Sequence, residues 1–484
     1  MKNKWIILSC LCALVMILTS FKTVTNSDKP NVIVILMDDM GYGDLESYGG
    51  TDWHTPNINR LAAEGMRFTR FYTAQAVCSA SRASLLTGCY PNRVGIHGAL
   101  SPESPIALSP DEETIAELLK KKGYRTGMVG KWHLGCKQPY LPLQQGFDEY
   151  LGLPYSNDMW PVHYDGKPYP DTTTYRGKYP PLPLIRDNTT QQYIRTLQDQ
   201  AQLTTKYTER ACRFIRENKK QPFFLYVAHN MPHVPIAVSG KFAGKSGKGL
   251  FADLMMEIDW SIGEIMNTLK KEGLDKNTLV VFTSDNGPWL SYGNHAGSSG
   301  GLREGKGTSW EGGIRIPCIM RWPGNIPAGT ICNKLAATID LLPTITAICK
   351  APLPAKKIDG VDIYGLMIND TQANPRDELA VYYEVNSLQA IHKGPWKLVF
   401  PHRSRTYKQN LPGYDGFPGA QPMTNVGLSL YDMRHDPGET LDVKEQFPDV
   451  VKTLQAAADK YRAELGDDLT SQKGAARRPA AQLK

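Results

Sequence analysis

Asn31-Val-Ile-Val-Ile-Leu-Met37 runs straight into Asp38-Asp39. Seven apolar or β-branched positions with no polar alternation mark a strand covered on both faces, the kind found inside a parallel sheet. Two carboxylates at its C-terminal end mark the place where ligands of such sheets gather. The same grammar recurs three times: 126–129 before Gly130-Lys131-Trp132-His133, 223–228 before His229, and 279–283 before Asp285-Asn286. Between these runs lie helical patterns at 56–64, 114–122, 200–217 and 251–271, the first with Thr55 as its cap and Pro56 at its first turn. Strands alternating with helices predict a mixed, mostly parallel α/β sheet sandwiched by helices. After about residue 370 the rhythm shortens to runs at 379–383, 389–392, 396–400 and 429–431, then a helix near 450–464. That predicts a smaller antiparallel α+β subdomain. The division is therefore a leader at 1–25, a catalytic α/β domain at 26–370, a C-terminal subdomain at 371–465 and a frayed basic tail at 466–484.

The chain of 484 residues has room for such a large domain with a smaller partner, and 41% apolar with 21% charged residues fits a folded body. A formal charge of +7 falls to +4 once Lys2, Lys4 and Lys22 of the opening segment are set aside, too mild for a nucleic-acid binder. That segment has two lysines, an apolar stretch at 5–18 and a polar continuation, the layout of a secretory signal. The stretch is shorter than the roughly 20 residues a spanning helix needs, so no stable membrane span is expected. The expectation is export to a periplasm or the exterior, with a lipid-anchored form left open and the cut site unassigned. Nine cysteines without a C-x-x-C spacing exclude zinc ribbons and thioredoxin chemistry. They are too sparse for a disulfide framework and read as buried thiols. Long loops are expected at 164–183, rich in Pro and Tyr, and 291–307, rich in Gly; with 401–425, the segments 164–183 and 291–303 are expected to converge above the strand ends as pocket walls.

The sharpest local signal is Cys78-Ser79-Ala80-Ser81-Arg82, followed by Leu85-Leu86-Thr87-Gly88. It resembles the C-x-A-x-R signature of the type I sulfatases, in which the cysteine is oxidised to formylglycine. Five further blocks resemble that family in its own order: Asp38-Asp39-Met40-Gly41, Gly130-Lys131-Trp132-His133-Leu134-Gly135, Pro232-His233-Val234-Pro235, Ser284-Asp285-Asn286-Gly287, and Gly305-Lys306-Gly307-Thr308-Ser309-Trp310-Glu311. The likeness is to arylsulfatase A and the galactosamine sulfatases in particular, and runs from about residue 31 to 437. It implies the alkaline-phosphatase-like fold with a C-terminal subdomain.

A sulfate ester has a poor alcohol leaving group and a sulfur ringed by anionic oxygens, so its hydrolysis needs positive charge, a strong nucleophile and a proton donor. The resemblance implies that residue 78, as the formylglycine hydrate, attacks sulfur with one hydroxyl and expels sulfate with the other. A helix expected over 79–86 would set its N-terminus beside the developing anion. Asp38, Asp39, Asp285 and Asn286 offer only oxygen ligands, suiting one Ca²⁺ rather than zinc; by resemblance the metal also touches residue 78. Taken singly, Asp38-Asp39 could cap a turn and Asp285-Asn286 could be an Asx turn. By the same resemblance Arg82 and Lys131 hold the diol and sulfate, His133 serves the collapsing hydroxyl, His233 protonates the leaving alcohol and Lys306 binds sulfate or the bridging oxygen. Asp285 is a further candidate for taking the attacking hydroxyl's proton. Asn157 and Asp158 fall in a substrate-side segment, where Asn157 replaces a family histidine. His229 is either packing or a supporting partner.

The partners implied are a sulfated carbohydrate and a formylglycine-generating enzyme. The expected substrate is a terminal galactose or N-acetylgalactosamine sulfate, attacked from the chain end. Glucosamine sulfates and aryl sulfates remain alternatives. A phosphatase or phosphodiesterase would want a second metal and a Ser or Thr nucleophile, and a non-catalytic glycan binder would not need every reacting position filled.

Overall fold

The computed structural model describes residues 29–169, 177–408 and 410–483. The leader at 1–25, with Cys10 and Cys12, lies outside the described residues, as does 170–176 of the loop expected at 164–183. Among the described residues no helix is long and apolar enough to cross a membrane. The seven cysteines there are all free, and every one except Cys136 is buried.

The opening run is the strand β1 (Asn31–Met37), buried at all seven positions. Alternation divides it between two cores. Val32, Val34 and Leu36 face one cluster with Leu85, Leu118 and Leu342, while Ile33, Ile35 and Met37 face another with Leu61, Tyr207 and Ile262. Those partners come from helices on opposite sides: α1 (Pro56–Ala63), α2 (Cys78–Thr87), α3 (Ile115–Lys120), α4 (Leu203–Glu217), α5 (Leu250–Lys271) and α6 (Leu341–Ile348). Thr114 caps α3 through its hydroxyl and the Glu117 amide, with Glu117 reaching back, as the Thr-x-x-Glu spacing requires.

The remaining strands of the main sheet are β2 (Met66–Phe68), β3 (Arg125–Gly130), β4 (Glu149–Gly152), β5 (Leu182–Arg186), β6 (Thr189–Ile194), β7 (Phe223–Ala228), β8 (Thr278–Ser284), β9 (Cys318–Arg321) and β10 (Thr330–Cys332). They form one ten-stranded sheet in the order β10-β2-β9-β8-β1-β7-β3-β4-β5-β6. Its centre, β8-β1-β7-β3-β4, is parallel; β5 and β6 continue it antiparallel on one side, and on the other β9 pairs antiparallel with both β8 and β2, with β10 parallel to β2 at the edge. Register sets the site: Met37 pairs with Ser284, Leu36 with Ala228, and Ala228 with Gly130. The residues that follow each strand therefore leave the sheet along one edge.

The smaller antiparallel sheet is β11 (Glu378–Tyr383), β12 (Ser387–Lys393), β13 (Trp396–Val399) and β16 (Ser429–Asp432), packed on α7 (Pro448–Leu465). Its core also takes in Tyr72, Trp310 and Ile314 of the main body. The expected loop at 401–425 instead holds a hairpin, β14 (His402–Arg405) with β15 (Met423–Val426). The expected helix at 200–217 is two pieces, Leu197–Gln200 and α4.

The frayed tail is a correction. Residues 478–483 are docked: Arg478 pairs with Glu112 at 2.7 Å, Ala481–Gln482 pairs with Ile106–Ala107, and the Leu483 amide donates to Pro105 O at 2.7 Å. Composition marked this segment as solvated, but its acidic partner lies more than 360 residues away in sequence.

Candidate active site

Four strand ends and one helix N-terminus meet at the edge. Asp38 and Asp39 follow β1, Lys131 and His133 follow β3, His233 lies five residues past β7, and Asp285 and Asn286 follow β8. Cys78 opens α2, which has no side-chain cap; of its first amides, that of Ala80 donates to Gly98 O at 3.3 Å. Arg82 lies one turn further in on the same helix. Asp39 and His133 have positive φ of 66° and 63°. A non-glycine residue in that region is costly and persists only where surroundings impose it. Here the Asp39 amide donates to Asp285 Oδ1 at 3.1 Å, and the His133 amide to Pro154 O at 3.2 Å.

The side chains form a dense ionic net. Lys131 Nζ lies 2.6 Å from Asp38 Oδ2 and donates to Ser156 Oγ at 3.1 Å. Arg82 Nη2 lies 2.8 Å from Asp285 Oδ2 and 3.3 Å from Asp38 Oδ2, and its Nη1 donates to Lys131 O at 2.8 Å. Lys306 Nζ is 2.8 Å from Asp39 Oδ1 and sits 4.5 Å from the Trp289 ring centroid. Asn286 Nδ2 donates to Asp39 Oδ1 at 2.7 Å. Arg82, Lys131, Asp38 and Asp285 are fully buried, whereas Lys306 keeps 6% exposure, so access comes from the Lys306 side.

Three cations thus balance three carboxylates before any ligand is counted. Burial works to raise the Asp38 carboxyl, but Lys131 and Arg82 outweigh it and hold the group well below the usual range. Burial pushes Asp285 up, and the neighbouring Asp38 charge adds to it. Burial likewise pushes the Cys78 thiol up to about 12, against the pull of Lys131 and Lys306. A thiol so placed is not a ready thiolate nucleophile.

The histidines divide by environment. His133 Nε2 donates to Leu100 O at 2.9 Å, leaving Nδ1 a buried acceptor without a hydrogen-bond partner among the described residues. Burial, Lys131 and Arg82 hold it far below an ordinary histidine pKa, so the ring is neutral. His233 donates from Nδ1 to Val234 O at 2.5 Å and presents Nε2 to Asp39 Oδ2 at 3.6 Å. Its ring stands edge-on to Trp289 at 5.7 Å. Burial and Lys306 lower its pKa, and Asp39 opposes them. His229 is fully buried against Ser261 at 3.2 Å and belongs to the packing.

A metal fits this donor set. Ligand atoms of Asp38, Asp39, Cys78 and His233 all lie within 4.8 Å of one another. Asp38 Oδ1 and Asn286 Oδ1 are buried oxygens without hydrogen-bond partners among the described residues. Unused lone pairs beside crowded carboxylates are what a hard cation takes up.

Asn157 and Asp158 part company. Asn157 is fully buried and its amide donates to His233 O at 3.4 Å and Pro235 O at 3.3 Å, so it braces the histidine loop instead of facing the opening. Asp158 keeps 8% exposure and its charge acts on His233. Sequence reading missed Ser156, Trp289 and Tyr407, whose hydroxyl donates to Lys306 O at 2.7 Å. Trp289 was within reach, three residues past Asn286; Tyr407 comes from the C-terminal subdomain, and no spacing announces it.

The described parts of the three loops do meet. Ser291 O accepts from the Gly413 and Gly419 amides at 2.8 and 2.7 Å, Tyr164 packs on Tyr292 with centroids 5.1 Å apart, and His163 packs on Phe417 at 4.8 Å.

A profile of the family described as Sulfatase matches residues 30–350, and one described as N-sulphoglucosamine sulphohydrolase, C-terminal, matches 305–464. The chain is 38% identical to arylsulfatase A of Homo sapiens over 443 residues, covering 88% of this chain and 86% of that one. It is 35% identical to N-acetylgalactosamine-6-sulfatase of Mus musculus over 467 residues, covering 90% and 86%. Among solved structures, the PsFucS1 sulfatase from Pseudoalteromonas sp. superposes with a TM-score of 0.79 at 29% identity, covering 90% of this chain and 91% of that one.

Proposed function

The chain belongs to the formylglycine-dependent type I sulfatases of the alkaline-phosphatase superfamily, and on that premise we propose that it removes sulfate from a terminal galactose or N-acetylgalactosamine of a glycan. The observation that carries the chemistry is the convergence of Asp38, Asp39, Cys78 and His233 within 4.8 Å, beside three buried or nearly buried cations. The name of the mouse relative supports the sugar, and the meeting of the three loops supports attack at a chain end. The C-terminal match to a sulphoglucosamine enzyme keeps a glucosamine sulfate as the second reading.

In the formylglycine form, residue 78 would supply one hydroxyl to attack sulfur and another to expel sulfate. Ca²⁺, held by Asp38, Asp39, Asp285 and Asn286, would supply Lewis-acid stabilisation of the sulfate oxygens. The chain's own groups do the rest. Lys131, Arg82 and Lys306 are aimed without reorganisation at charge that develops on the sulfuryl group, in a site shielded from water. Asp285 stands beside residue 78 in charge terms and can take the proton of the attacking hydroxyl. The bare Nδ1 of His133 can take the proton of the hydroxyl that expels sulfate. His233 Nε2, next to Asp39 and on the Lys306 side, is placed to protonate the departing alcohol from the imidazolium form, which the Asp39 charge favours, leaving the neutral ring with its Nδ1–H on Val234 O.

Cys78 is 1% exposed, so a formylglycine-generating enzyme has to act before the domain closes around it. The charged and apolar layout of residues 1–25 supports export to a periplasm or the exterior before or during folding. Assay of matured protein on monosaccharides sulfated at defined positions tests the reading. Sulfate release from galacto-configured sugars is expected; release confined to glucosamine sulfates would move the assignment to the second reading.

A further inference from the structure

We infer that Arg405 and Tyr383 form an anion-recognising subsite at the mouth of the active site, reading a second negative group on the substrate beside the scissile sulfate. The proposal rests on the sulfatase reading above and narrows its substrate class to sugars carrying a carboxylate or a second sulfate.

Both residues end strands of the C-terminal subdomain: Tyr383 is the last residue of β11 and Arg405 the last of β14. They flank Gly307, next to the sulfate-binding Lys306. A β-carbon on Gly307, whose φ is 78°, would lie 2.9 Å from Arg405 Nη1 and 2.9 Å from the Tyr383 hydroxyl. Tyr383 feels the charges of Arg405, Lys306, the neighbouring Glu384 and Cys78, which sets it near the reacting centre and not on a remote face. Both side chains are half-buried, on the Lys306 side of the site, which keeps some exposure.

The guanidinium is short of a counter-charge. Arg93, Arg376 and Arg462, also wholly or partly buried, each hold a carboxylate at 2.9 Å or closer. Among the described residues no carboxylate lies within 4.0 Å of Arg405; the side chains whose charge states it feels are the phenols of Tyr407, Tyr383 and Tyr292. A half-buried guanidinium with unused donors is suited to a planar carboxylate or to a sulfate.

The subsite is also fixed relative to Lys306. Thr406 Oγ1 and the Tyr407 amide donate to the two carboxylate oxygens of Glu304, each at 2.7 Å, and Tyr407 Oη donates to Lys306 O at 2.7 Å. Arg405 and Lys306 therefore belong to one hydrogen-bonded unit. Two anions held at a set separation are read together, and a ligand with only one gains nothing from Arg405.

The test compares matched sugars: one sulfate alone, the same with an adjoining uronate, and the same with a second sulfate. In matured protein, Arg405→Gln should lower kcat/KM by about 10- to 100-fold on the dianionic sugars, the range for losing one charge-assisted hydrogen bond. The monosulfated sugar should change by less than about threefold, and Arg405→Lys should fall between. The two dianionic arms tell which anion is read. Binding of the same sugars to Cys78→Ala protein, with and without Arg405→Gln, gives the affinity directly by calorimetry and does not depend on turnover. Equal losses on all three sugars, or no loss with native melting temperature, would overturn the subsite. Failure of matured wild-type protein on every sulfated sugar would overturn the sulfatase substrate reading instead, and the calorimetry would still decide the subsite.

Discussion

Two knots of buried charge lie in this molecule, and only one is built to react. At the strand ends, Asp38, Asp39 and Asp285 face Arg82, Lys131 and Lys306. At the junction with the C-terminal subdomain, Lys397 sits 3.1 Å from Glu311 and 2.7 Å from Glu439, and donates to Ser309 O at 2.8 Å. Glu311 also accepts from Tyr72 at 2.9 Å, and its amide donates to Glu439 at 2.8 Å. In both knots burial opposes ionisation and a neighbouring ammonium restores it: Lys131 does so for Asp38, Lys397 for Glu311. Burial alone therefore does not mark a reacting site. Unpartnered polar atoms occur in both, Asp38 Oδ1 and Asn286 Oδ1 in the first and Ser309 Oγ in the second; the strand-end knot differs in its convergent carboxylate, cysteine and histidine atoms, its helix N-terminus, and the small opening at Lys306. The junction knot ties the 305–311 loop, and with it Lys306, to the smaller sheet.

That contrast breaks most sharply at Cys78. Cys78→Ala should lower sulfate release by about 10⁴-fold or more, as expected for loss of a nucleophile, with little change in melting temperature. Next comes His233→Ala, with a loss of about 10² to 10⁴ on sugar sulfates and a much smaller one on an aryl sulfate, whose phenol leaves with little protonic help. Equal losses on both would assign His233 to sulfate binding.

Lys397→Met should act mainly on stability. It strips buried Glu439 of its ammonium and leaves Glu311 with Arg315 at 3.6 Å and His392 at 3.2 Å, at a cost of about 3–5 kcal/mol in equilibrium denaturation. A value within experimental error of wild type would mean the junction knot is not the clamp described. Chelation should separate the knots in the other direction. Removing divalent ions should lower the melting temperature and activity, and Ca²⁺ should restore both better than Zn²⁺; at a hundred times its Kd a bound ion contributes about 2.7 kcal/mol. An ion response that persists in Asp38→Ala/Asp285→Ala protein would place the ion elsewhere.

The smallest effect concerns a buried ionisable group outside both knots. Burial pushes the His229 pKa down to about 4, below the ordinary 6.5. The unfolded chain then binds the proton more readily, so stability falls as pH drops from about 6.5 towards 4. The slope is at most about 1.4 kcal/mol per pH unit. Denaturation midpoints across that window should lose part of their slope in His229→Gln, whereas an unchanged slope would assign it to other groups.

Much of this was legible before any coordinates. The run at Asn31–Met37 is the strand covered on both faces that its pattern predicted, and the helices fell close to where apolar periodicity placed them, although Thr55, expected to cap the first, makes no side-chain capping bond and the 200–217 helix is broken. The strand-end carboxylates and histidines were visible because parallel strands deliver whatever follows them to one edge. What stayed hidden was everything arriving from far along the chain. Arg478 looked like a solvated charge because Glu112 is distant in sequence, and Arg405 drew no reading because the hairpin that carries it to Gly307 has little apolar alternation and its span was expected to be loop. Asn157 shows a contact no spacing announces: its side-chain amide donates to His233 O and Pro235 O and so braces the loop of His233.

The central claim is that residue 78 works as an aldehyde and not as the deeply protonated thiol that burial makes of Cys78. It is tested most directly by preparing the protein with different extents of conversion, measuring the aldehyde fraction at residue 78 by peptide mass spectrometry after hydrazide labelling, and measuring sulfate release from the same samples. Turnover should rise in proportion to the aldehyde fraction and extrapolate to background at zero. Full turnover in protein whose residue 78 is entirely thiol would contradict the account.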